Sequence, residues 1–89
     1  MKTRKGYTLR PLGKEFILVA DGFEAVDFSR MISMNESSAF LWKEVEGKDF
    51  DAKMLTNLLT ENYDITIETA QNDVAALLKS WSVAGIIEE

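Results

Sequence analysis

Cysteine and histidine are both missing from the 89 residues of this chain. Without thiols there are no disulfides, thiolate zinc sites or cysteine nucleophiles, and without imidazole the commonest general base is gone. Redox and metal chemistry are thereby set aside, and neither a bound cofactor nor a metal is expected. No apolar run approaches the roughly 18 residues of a membrane span, and the basic start MKTRKGYTLR has no apolar stretch behind it. The sequence therefore reads as cytoplasmic, with no membrane partner. Proline occurs once, at Pro11, and the five glycines are scattered over turn and cap positions instead of gathered in a phosphate loop.

What is present, 46% apolar and 28% charged residues, suffices for one modest core. A single domain spanning 1–89 is expected, too short for a cleft between two domains. Charge is split along it. Of ten basic residues, Lys2, Arg4, Lys5, Arg10 and Lys14 fall in the first fourteen positions, which leaves five against fifteen acidic residues in the rest. The acidic body repels phosphate backbones, whereas the basic arm, read as flexible over 1–6, suits an acidic surface or plain solvation.

Three short strands precede three helices in the pattern. YTLRPL alternates, and its proline belongs at an edge or a strand end. After a Gly13–Lys14 turn, EFILVA (Glu15 to Ala20) is apolar enough for a central strand. DGFEAV connects it, through an Asp-Gly turn signal, to DFSRMISM (Asp27 to Met34). There Phe28, Ile32 and Met34 share one face, and Asp27, Ser29, Met31 and Ser33 the other.

At Asn35 the alternation stops. Asn35 is a preferred N-cap and Glu36 complements the helix dipole, so a helix starts here with Leu41, Trp42 and Val45 inward and Gly47 at its end. Asp51 caps a second helix, with Phe50 and Leu55 as a hydrophobic staple and a stripe of Leu55, Leu58, Leu59 and Tyr63. Thr66 caps a third, with Ile65 and Ala70 as staple and a stripe of Ile67, Ala70, Val74, Leu77 and Trp81. Gly85 ends it, and IIEE follows as an added strand or a packed tail. The expected fold is α+β: a three-stranded antiparallel sheet followed by three helices, resembling a winged helix-turn-helix.

Such a fold raises DNA binding as one alternative, a transcription-associated winged helix. The third helix, however, offers Lys79 against Glu68 and Asp73, the wrong net sign for a helix lying among phosphates, so no nucleic-acid partner is expected. Catalysis lacks an inventory too. Glu44 and Glu46, or Asp49 and Asp51, are solvated helix ends and caps with no spacing that demands convergence in a pocket, so the chain reads as no enzyme.

The segment ISMNESSAFLWKEVEG resembles the LNETGAxxWELLxG signature of the PqqD family, the small accessory proteins of coenzyme PQQ (pyrroloquinoline quinone) biosynthesis. FDAKMLTNLLTENYDIT is similar to that family's second helix and its YDV turn, ETAQNDVAALLKSWSVAGIIE to its third helix, and GYTLRPLGKEFILVADG to its opening strands. The likeness covers nearly the whole chain. Met34 stands where leucine is usual, Ser37 and Ser38 replace Thr-Gly, and Trp81 replaces a leucine. These departures point to a relative serving a peptide-modification pathway other than that of the quinone.

The resemblance implies a recognition element that binds the leader of a ribosomally made precursor peptide and presents the peptide to a modifying enzyme, in this family usually a radical S-adenosylmethionine enzyme. Its implied mode is β-augmentation: the leader adds to the edge of the third strand and fills the groove between that strand and the third helix. An open strand edge is then a binding site and not a hazard. Carried onto this chain, the docking edge is Asp27 to Met34, with Arg30, Met31, Ile32 and Ser33 as contacts and Arg30 facing an acidic leader residue. On the third helix the expected groove flank is Gln71, Ala75, Leu78 and Ser82, with Lys79 at the rim. Asn35, Trp42 and Tyr63 are expected to cap or pack. A second alternative is a structural subunit whose groove is filled by the modifying enzyme itself. Oligomeric state is not legible in the sequence.

Overall fold

A computed structural model describes residues 1–20 and 31–88. Its elements in chain order are β1 (Lys2–Thr3), β2 (Tyr7–Leu12), β3 (Glu15–Ala20), β4 (Met31–Met34), α1 (Glu36–Val45), α2 (Ala52–Asn62), α3 (Ile67–Ala84) and β5 (Ile87–Glu88). The expected antiparallel sheet is present as β2-β3-β4, with three helices after it. The expected strand residues Asp27, Phe28, Ser29 and Arg30 lie outside the described residues.

The hairpin of β2 and β3 closes tightly, Leu12 pairing with Glu15 across Gly13 and Lys14. Gly13 takes φ 64° and Lys14 stays out of positive φ, the glycine-first pattern of a type II′ turn, whose twist matches that of the strands. The pairs Leu9–Leu18, Phe16–Met34 and Leu18–Ile32 set one face of the sheet against the helices. On that face Leu18 and Met34 are buried, and Tyr7, Leu9, Phe16 and Ile32 are packed at the margin of the same core.

Each helix begins as its capping residue dictates. Asn35 Oδ1 accepts from the Ser38 N–H at 2.9 Å, Asp51 Oδ1 from the Met54 N–H at 2.8 Å, and Thr66 Oγ1 from the Thr69 N–H at 3.2 Å. These bonds satisfy amide donors that a helix start leaves without partners. α3 stops at Gly85, whose φ of 75° lets the Ile86 N–H reach back to the Trp81 carbonyl at 3.2 Å.

The helices bury Leu41, Trp42 and Val45 from α1, Leu55 and Leu59 from α2, and Ala70, Val74 and Trp81 from α3. Trp42 and Trp81 meet edge to face at 5.3 Å and 90°, and Phe50 adds a third ring at 6.4 Å from Trp81. The tryptophan that stands in place of the family's leucine thus completes an aromatic centre. Ile67, expected in the inner stripe of α3, is instead 62% exposed. It sits in the first turn, where the helix begins beyond the edge of the core.

The amino-terminal segment also departs from expectation. Lys2 and Thr3 pair antiparallel with Glu88 and Ile87, and the Arg4 N–H donates to the Ile86 carbonyl at 2.9 Å. Thr3 is buried, its hydroxyl accepting from the Gly47 N–H at 3.1 Å, and the Phe50 N–H donates to the Met1 carbonyl at 2.8 Å. Residues 1–4, read from the sequence as part of a flexible arm, therefore stitch the α1–α2 connection to the tail. The tail itself resolves as β5, in a second, two-stranded sheet.

Candidate functional site

β4 pairs on one side with β3, through Met31–Val19 to Met34–Phe16, and no other strand pairs with it among the described residues. Its inner face is anchored by buried Met34 and half-buried Ile32, while Ser33 is exposed. The strand ends at Asn35, whose side chain caps α1 as the chain turns away from the sheet. Asn35 Oδ1 accepts from the Ser37 hydroxyl as well, at 3.1 Å, so the NESS run builds this corner.

A groove of about 430 Å³ opens at that corner. Asn35, Ser37, Ser38 and Leu41 bring α1 to it, Leu59 brings α2, Tyr63 and Ile65 bring the α2–α3 connection, and Asp73, Ala76, Leu77 and Ser80 bring α3. Tyr63 is held by an edge contact with Phe40 at 5.8 Å. The volume lies within the range of pockets that enclose small ligands, and the lining combines an aliphatic wall with hydroxyls at the α1 end.

Of the residues expected in the site, Ile32 and Ser33 lie on the edge strand as read, Met31 begins it, and Arg30 falls outside the described residues. Gln71, Ala75, Lys79 and Ser82 are exposed and Leu78 is half-buried, but none of the five lines the groove. The stripe Ala70–Val74–Trp81 has two flanks, and the groove uses the one carrying Asp73, Leu77 and Ser80. Spacing of three and four residues marks both flanks alike, and it is α1 and the α2–α3 connection, not the sheet, that line this groove opposite α3. Asn35 caps α1 and Trp42 is fully buried, as expected, while Asn35 and Tyr63 also line the groove.

Among the described residues no group of three or more acidic side chains comes together to hold a metal ion, and no helix is long and apolar enough to cross a membrane. Asp73 contributes the groove's one carboxylate.

The fold matches that of TbiB1, solved in complex with the TbiA(beta) leader peptide, with a TM-score of 0.72 over 99% of this chain and 95% of that one. Identity is 15%, so the likeness is one of fold. No curated protein matches the chain by sequence. The family model of coenzyme PQQ synthesis protein D (PqqD) matches residues 2–87, which includes the three-stranded sheet, the capped corner and the groove walls. The chain belongs to the PqqD family.

Proposed function

We propose that this protein is a non-catalytic recognition element that binds the leader of a ribosomally made precursor peptide by strand addition to β4 and presents it to a modifying enzyme. The observation that carries the reading is the pairing of an edge strand with an adjoining groove in a chain of this family. Edge and groove supply complementary functions. Backbone donors and acceptors of β4 give attachment that is indifferent to sequence, and the side-chain space beyond Asn35 gives choice.

The solved complex of TbiB1 with a leader peptide supports the same occupant here, since its fold is shared nearly end to end. The contacts on β4 are assigned to Ile32 and Ser33, continued by Met31 and Arg30. On α3 they are assigned to Asp73, Ala76, Leu77 and Ser80. The enzyme partner, assigned to the radical S-adenosylmethionine class, would carry out the modification of the presented peptide.

A flexible peptide that gains one strand and fills one groove retains a Kd on the order of micromolar, about -8 kcal/mol, after the cost of ordering it. The test is calorimetric titration with synthetic peptides copied from the amino-terminal halves of whatever short reading frames are encoded near this gene. Saturable micromolar binding with a negative heat-capacity change is expected. No heat with any neighbouring frame, together with salt-dependent retention of duplex DNA, would overturn the reading in favour of a transcription-associated winged helix.

A further inference from the structure

We infer that the groove selects a segment in which a bulky apolar side chain and a basic one stand two residues apart, the first filling the space between Leu41, Leu59 and Leu77 and the second meeting Asp73. The inference rests on the leader-binding reading and deepens it to a class of ligand.

Asp73 is exposed, and it takes part in no ion pair or hydrogen bond among the described residues. It is also the one charged side chain that lines the groove. Buried Val74 and Ala70 fix the face of α3 that carries it, so the carboxylate is presented at a set place. Across the groove stand Asn35, Ser37 and Ser38, whose polar groups are partly engaged in capping α1, and none of them is a cation. An acidic peptide side chain entering here would meet like charge. A basic one would be drawn in, helped by a body in which fifteen acidic residues outnumber the basic ones.

The spacing follows from geometry. Asp73 and Leu77 are one turn apart on α3, about 6 Å along its axis. Residues i and i+2 of an added strand point the same way and lie about 6.6 Å apart. A leader segment that continues past the end of β4 at Asn35 and lies extended along α3 therefore sets one side chain against Leu77 and the next on that face against Asp73. Small Ala76 leaves the apolar end roomy.

Panning a phage-displayed library of random 12-residue peptides against the intact protein tests this. Enriched peptides should share an apolar-x-Lys or apolar-x-Arg pattern, or its reverse. Synthetic peptides from the strongest sequence, with Lys, Ala or Glu at the basic position, should bind in that order, about threefold apart between Lys and Ala. Asp73→Lys should invert the order.

Enriched peptides that perturb β4 but show no charge preference would overturn the inference and leave strand addition standing. So would an Asp73→Asn variant that lowers Tm yet keeps the Lys-over-Glu order, because the carboxylate would then serve the amino end of α1. A library yielding no peptide that perturbs β4 would overturn both.

Discussion

Gly85 shows how one residue fixes the end of a helix and the start of the tail. Its left-handed φ of 75° lets the chain leave α3 and carry Ile86 into the core. An added Cβ would meet nothing within 4 Å, so the cost of Gly85→Ala is conformational, about 1–2 kcal/mol. Urea unfolding should show that loss, with Gly85→Asn losing less. Trp81 lies at the opposite extreme, buried against two rings, and Trp81→Ala should cost about 3–5 kcal/mol by the same measurement. These residues were legible in the sequence because each acts locally or through one obvious stripe. Asn35, Asp51 and Thr66 were legible for the same reason, a cap being written within three residues of its target. Thr3 was not. Its hydroxyl answers Gly47, far along the chain, and Lys-Thr carries no strand pattern.

Among the elements, β4 and α3 carry the function, and the two were read unequally well. The strand announces itself through alternation and its stop at Asn35. The groove flank of α3 does not, because a core stripe leaves two candidate flanks and the groove opens on the one that faces α1 and the α2–α3 connection. Substitution separates them. Ala76→Arg fills the groove and should weaken leader-peptide binding by tenfold or more, while Ala75→Arg on the other flank should leave it within about twofold, as anisotropy would measure; the reverse ranking would restore the flank of Gln71, Ala75, Leu78 and Ser82. Proline serves for the strand. In Ile32→Pro and Ser33→Pro one missing N–H points to the open edge and the other to β3, since antiparallel donors alternate. One variant should keep its fold by circular dichroism and lose the peptide.

At the scale of the whole molecule, acidic charge and the small size of the core shape the account. Two edge-to-face tryptophans and the β1–β5 pair hold the ends of an 89-residue chain to one centre. The basic start is drawn into this stitching: the backbone of Lys2 pairs with Glu88 and forms a bridge with Asp49, and the amino-terminal ammonium of Met1 lies 3.3 Å from the Asp49 carboxylate. Removing the stitch should loosen the whole. Thr3→Val leaves the Gly47 N–H without its acceptor and should lower stability by about 1–3 kcal/mol, read by urea unfolding. Peptide affinity, corrected for the unfolded fraction, should change little.

Amide NMR during titration with the neighbouring-frame peptide reaches the central claim most directly. Strand addition predicts that alternate amides of Met31–Met34 shift and gain exchange protection, that peptide Hα protons show cross-strand contacts to them, and that the methyl groups of Leu41 and Leu77 move in step. A peptide that binds saturably while these β4 amides keep their shifts and exchange rates would contradict the account.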